Sequence, residues 1–192
     1  NTELKKWGQY TIKLDMFCPR VAFTGAKKRY CYLDEKGALH TVGFETRRTD
    51  SSNYTKDVMT QVMRLVLQDK GNEIVPYVRS VVAGVKKAPL LDLCVTKSFG
   101  KDFEVSQKGE QAYIKACRAQ GIQMGQGDFV RILPVTNYPY GVAVFRDVSD
   151  LKKEPKIDYE EIVEKQVRAK VSDLLLLASH SWDEVVGQLK LL

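Results

Sequence analysis

Apolar positions alternate with polar ones over residues 10–16, Tyr-Thr-Ile-Lys-Leu-Asp-Met. Together with 20–24, 27–33 and 38–46 this pattern predicts a small antiparallel sheet. Asp34-Glu35-Lys36-Gly37 supplies the turn between the last two strands. The period then lengthens. Ser51-Ser52-Asn53 are N-cap candidates, and Val58, Met59, Val62, Met63 and Val66 form one helical stripe that Gly71 is expected to close. A second helix is predicted over 72–84 with Val75, Val78, Val81 and Val82 inward. A short apolar segment, 90–98, ends in Thr96-Lys97-Ser98. Further on, a helix over 106–120 closed by Gly121, a strand over 129–135 and an apolar run over 141–146 are expected. A long helix over 159–178 buries Tyr159, Ile162, Val163, Gln166, Val167, Val171, Leu174 and Leu175, and Ser181-x-x-Glu184 is a capping box beside Trp182. The methionines of the first helix read as core filling. The fold class is α+β, a small hairpin sheet followed by a mostly helical region.

A chain of 192 residues, 44% hydrophobic and 28% charged, is long enough for one domain or two small ones with a real core. No apolar run is long enough for a membrane span, and no signal-peptide pattern opens the chain. The first residue is Asn rather than Met, which we read as a fragment or a trimmed chain. The expected location is cytoplasmic in a prokaryote or nuclear in a eukaryote. Cys18, Cys31, Cys94 and Cys117 lie far apart with no Cys-x-x-Cys pair, a spacing that suits buried reduced thiols rather than zinc. His40 and His180 have no recognisable nucleophile beside them and read as structural.

The net charge of +6 is uneven: residues 1–50 hold ten Lys or Arg against six Asp or Glu. Much of that excess sits in Gly25-Ala26-Lys27-Lys28-Arg29-Tyr30, between the apolar stretches 21–23 and 31–33. On a strand over 27–33, Lys28 and Tyr30 would share one face and Lys27 and Arg29 the other. Ammonium groups beside a phenol suit a phosphate backbone running over a minor groove. A basic edge strand that deters aggregation is the competing reading of the same residues.

The order of motifs adds to this. Lys-Lys-Arg-Tyr, an acidic turn ending in Gly37, and then Gly43-x-Glu45-x-x-Arg48-x-Asp50 resembles the last part of the palm of family B DNA polymerases. The family commonly has Arg-Arg-Asp after the glutamate. Here the pair is Arg47-Arg48, one place early, and Arg48 keeps the first arginine position. The resemblance implies that Lys28 and Tyr30, flanked by Lys27 and Arg29, contact the primer–template duplex just behind the primer end. It extends to the thumb through Thr96-Lys97, through the Gly121 to Asp128 stretch, and through the 156–167 segment with its Asp158, Tyr159 and Gln166. Where many members begin a thumb helix with Pro-His, this chain has Gly109-Glu110. Residues 1–50 would then be the palm-edge hairpin region and 51–192 the thumb.

What is missing shapes the expectation equally. The family's motif A aspartate, Tyr-x-Asp-Thr-Asp turn, nucleotide-binding helix and exonuclease carboxylates do not occur here. Two-metal phosphoryl transfer needs such carboxylates. The chain is therefore expected to grip DNA through Lys27, Lys28, Arg29, Tyr30, Arg48, Thr96 and Lys97 without polymerising DNA alone. Mg2+ is expected only in the complete polymerase. The implied partners are primer–template DNA and the catalytic remainder, either covalent or a separate subunit of a split archaeal-type enzyme, with residues 10–24, including Leu14, Met16 and Phe17, as the apolar interface. A stand-alone nucleic-acid-binding accessory protein is the alternative.

Overall fold

The computed structural model describes residues 17–44, 51–101 and 111–187. The expected strand over 10–16 and the motif residues Glu45, Arg47, Arg48 and Asp50 lie outside these. The α+β class holds, with two antiparallel three-stranded sheets and a helical body.

The first sheet has the order β1 (Arg20–Phe23), β2 (Tyr30–Leu33) and β3 (Leu39–Val42). Its pairs Ala22↔Cys31 and Leu33↔Leu39 carry side chains to an inner face that joins the core under α1 (Asn53–Leu67). The Asp34 carboxylate closes the β2–β3 turn by accepting from the Lys36 and Ala38 amides at 2.9 and 2.8 Å. One expectation fails at the other turn. Strands over 20–24 and 27–33 leave two residues for the reversal, whereas the chain uses Thr24 to Arg29. The Thr24 amide donates to the Arg29 carbonyl at 3.1 Å, and Lys28 adopts a left-handed φ of 57°. Lys27 and Lys28 therefore sit in a turn, and the alternation expected for them does not apply.

α1 places Val58, Met59, Val62 and Met63 in the core with no exposure above 3%. Ser52 is its N-cap, accepting from the Thr55 amide. Gly71 does not close this helix. Asp69 takes the left-handed position at φ 57° and Gly71 opens α2 (Gly71–Gly84), which buries Ile74, Val75 and Val78. Val81 and Val82 are half-buried against the same core.

The 90–98 segment divides into a 3-10 turn, Leu90–Leu93, and strand β4 (Val95–Ser98). β4 pairs with β5 (Phe129–Pro134), and β5 with β6 (Val142–Phe145). One face of this second sheet, with Val130 and Val144, packs with Cys117 and Ala116 of α3 (Ala112–Gln120). The other, with Leu133, Ala143 and Phe145, meets Leu93 and Ile162. α3 begins at Ala112, residues 106–110 of the expected helix lie outside the described residues, and it ends, as expected, on Gly121 at φ 73°.

The long helix is continuous in direction but changes its winding. α4 (Tyr159–Ile162) passes into a π-helical stretch, Val163–Arg168, and then α5 (Ala169–Leu177). The π stretch carries Gln166, 7% exposed, into a polar node. Its Oε1 accepts from the Ser52 hydroxyl at 2.6 Å, and its Nε2 donates to the Leu93 carbonyl at 3.2 Å. α6 (Trp182–Gly187) starts from the expected capping box, with the Ser181 amide donating to Glu184 at 3.0 Å. Among the described residues no helix is long and apolar enough to cross a membrane. Gln166→Leu removes the donor to the Leu93 carbonyl and the acceptor of the Ser52 hydroxyl, which keeps only its Thr55 contacts. We expect a loss of about 1–3 kcal/mol in chemical denaturation, whereas Gln166→Glu, which keeps the acceptor for Ser52, should lose less at a pH where it is protonated.

Candidate nucleic-acid interface

The residues singled out in the sequence fall on two separate surfaces. The first is the β1–β2 turn with the sheet face beside it. Lys27 and Lys28 are exposed at the turn, separated by Arg29 from Tyr30, the first residue of β2. A cross-strand register puts Tyr30 between Phe23 and Val42, and Tyr32 between Val21 and His40. The outer face is thus an aromatic row: Phe23 and Tyr30 ring centroids lie 5.4 Å apart, Tyr30 and Tyr32 6.3 Å, Tyr32 and His40 4.8 Å. Rings stacked along a sheet are rigid and pre-positioned.

Arg29 behaves differently from its neighbours. Its guanidinium pairs with the Asp173 carboxylate of α5 and lies 4.6 Å from the centroid of the Phe44 ring. Its Nε is buried without a hydrogen-bond partner. This cation ties the turn to the helical body, whereas Lys27 and Lys28 project from it. Gly43, at φ 73°, holds the turn from the other side. A Cβ there would stand 2.2 Å from the Lys28 carbonyl oxygen, so only glycine admits the approach.

The second surface is around β4. Thr96 and Lys97 point to opposite faces of the sheet, as adjacent strand residues must. Thr96 pairs with Arg131 across β4 and β5. The two line an open groove of about 410 Å³ with Asn53, Lys56 and Asp92 at the start of α1 and the 3-10 turn. Arg131 also donates to the Arg146 carbonyl and lies 5.6 Å from the Phe129 centroid. Lys56 and Arg131 were not singled out in the sequence. The only signal for Arg131 was its place on a predicted strand, and the register that sets it beside Thr96 is not written locally. Arg48 lies outside the described residues.

Neither histidine takes part in a nucleophilic arrangement. His40 Nε2 lies 2.9 Å from the Asp34 carboxylate, and His180 is held by Glu184 and the Gly71 carbonyl at 2.9 and 3.0 Å. Burial pushes the thiols of Cys31 and Cys117 up to about 11 and that of Cys94 up to about 12. Such thiols stay protonated and unreactive at neutral pH.

No family model matches the chain. A DNA polymerase 2 from Aeropyrum pernix is 38% identical over 79 residues, covering 41% of this chain and 10% of the relative. A DNA polymerase from Thermococcus aggregans is 33% identical over 113 residues, covering 56% of this chain and 6% of the relative. DNA polymerase 1 of Saccharolobus solfataricus is 23% identical over 97% of this chain and 22% of its own length. Among solved structures, the family B DNA polymerase from Pyrobaculum calidifontis superposes with a TM-score of 0.66 and 28% identity, over 84% of this chain and 22% of that one. Sequence and fold together support a family B DNA polymerase region. The chain spans less than a quarter of the length of these family B and other polymerase relatives.

Two outcomes are expected here. Gly43→Ala should cost at least the ~1–2 kcal/mol of a left-handed Ala, and should displace Lys28; urea unfolding should show the loss. The His40 hydrogen bond, followed by the Ala38 amide, holds the Asp34 carboxyl below its ordinary value. A depressed folded value means that the contribution of Asp34 to stability is present above the unfolded value of about 3.9 and is lost as pH falls through the folded one. Thermal melts from pH 5 downward should show the wild type losing its advantage over Asp34→Asn.

Proposed function

We propose that this chain is the palm-edge and thumb part of a family B DNA polymerase, with residues 1–50 as palm edge and 51–192 as thumb, and that it grips the primer–template duplex after synthesis. The observation that carries this reading is the turn with the exposed Lys27 and Lys28, which leads through Arg29 into Tyr30 and the aromatic row. Lys27, Lys28, Arg48 and Lys97 neutralise phosphates, the Thr96 hydroxyl donates to a phosphate oxygen, and Tyr30 abuts the minor groove near the primer end. Arg29 enters as a strut for the turn. Grip of this kind is electrostatic and independent of sequence.

Polymerisation itself belongs to the remainder of the enzyme, joined covalently or as a separate subunit. Among the described residues no group of three or more His, Cys, Asp or Glu could hold a metal ion. The Mg2+ of the complete polymerase belongs, on this reading, with carboxylates of the remainder.

Four phosphate contacts give a slope of log affinity against log salt of about −4. In the intact polymerase, Lys28→Ala should weaken primer–template binding and flatten that slope by about one. Tyr30→Ala should weaken binding with the slope unchanged. Unchanged affinity in both variants removes the assignment. Tight duplex binding by a polypeptide of this length with no polymerase partner would favour an accessory protein instead.

A further inference from the structure

Thr96 and Arg131 pair across β4 and β5, so both side chains leave one face of the second sheet. The reverse face is covered by α3, through Val130, Val144, Ala116 and Cys117. Lys56, in the first turn of α1, lines the same open groove of about 410 Å³. Strand register and helix packing thus bring a hydroxyl and two cations, from three distant stretches of sequence, to one concave surface.

The groove suits a phosphodiester. Arg131 is held in place before a ligand arrives, because it donates to the Arg146 carbonyl and lies 5.6 Å from the Phe129 centroid. A guanidinium carries five N–H donors, and one carbonyl engages few of them. The remainder can meet phosphate oxygens, which a guanidinium fork matches in geometry. Asp92 is the one carboxylate among the described residues that line the groove, and its Oδ1 accepts from Asn53 Nδ2 at 3.3 Å. Asp147, which does not line the groove, is engaged first by the Ser149 amide and hydroxyl and feels Arg131 after these. Two cations against one carboxylate leave the groove attractive to an anion.

We propose that Arg131 and Lys56 bind neighbouring phosphates of the duplex backbone beside Thr96, which makes this groove a second cationic contact in addition to the Lys27–Lys28 turn. The inference rests on the reading of the chain as the part of a polymerase that grips the duplex, and it assigns two cations that this reading does not use. A grip with about six neutralised phosphates has a salt slope of about −5 rather than about −4.

Anisotropy titrations of the intact polymerase with a labelled primer–template duplex, at several salt concentrations, test this. Arg131→Gln and Lys56→Gln should each weaken binding about fivefold or more and flatten the slope by about one. Arg131→Lys keeps the charge and should restore the slope. Lys115→Gln removes one exposed charge from α3, behind the sheet, and should leave affinity and slope unchanged. Slopes equal to wild type in both Gln variants overturn the proposal even if affinity falls, because a lost phosphate contact must release fewer counterions. An equal effect from Lys115→Gln also overturns it, and leaves only net charge. If Lys28→Ala and Tyr30→Ala bind as wild type while Arg131→Gln flattens the slope, the turn loses its role and the groove stands. The reverse pattern keeps the grip at the turn and removes the groove.

Discussion

Burial of α1 is the constraint on which the remaining structure depends. Its apolar stripe is covered by the inner face of the first sheet, by α2 and by α5, and these share one core. Met59, Val62 and Met63 have no solvent exposure. Burying side chains of this size stabilises by roughly 1.5–3 kcal/mol each, so no element around α1 can shift without opening that core. The helix is held at its start as well, where Gln166 ties Ser52 to Leu93. The carbonyl that Gln166 reaches lies two residues before β4. The position of Thr96 is thereby tied to the same helix that supports the first sheet.

This arrangement gives the exposed cations fixed supports. The Lys27–Lys28 turn is braced from one side by Arg29, which reaches Asp173 on α5, and from the other by Gly43 at the end of β3. A pair of lysines on a loose loop would lose conformational freedom on meeting a phosphate. A turn already held by its neighbours loses less. The same logic applies to the aromatic row, whose spacing is set by the β-ladder.

Much of the architecture was legible along the chain, and for identifiable reasons. The α1 stripe and the buried face of the long helix are written as periodicity, and the Asp34–Gly37 turn and the Ser181–Glu184 capping box as local chemistry, all in residues close together in sequence. Local rules fail where a longer contact competes. Gly71 looked like a helix stop, but Asp69 accepts the left-handed position and leaves Gly71 to open α2. Lys27 and Lys28 looked like strand residues because the sequence marks the reversal only at Gly25-Ala26, whereas the Thr24–Arg29 hydrogen bond sets its length. The π winding over Val163–Arg168 likewise has no visible local cause.

By itself, the sequence determined the α+β class, the order of elements, the positions of the core stripes and the family resemblance. These follow from periodicity, capping chemistry and short motifs, all carried by residues close together in the chain. Only the tertiary structure decided what each cation does. Lys28 and Arg29 are adjacent in sequence and chemically alike, yet one faces solvent from a turn and the other is joined to a carboxylate 144 positions away. It also decided that Arg131 stands beside Thr96. Such outcomes depend on strand register and on helix packing, in which residues distant in sequence compete for the same partners.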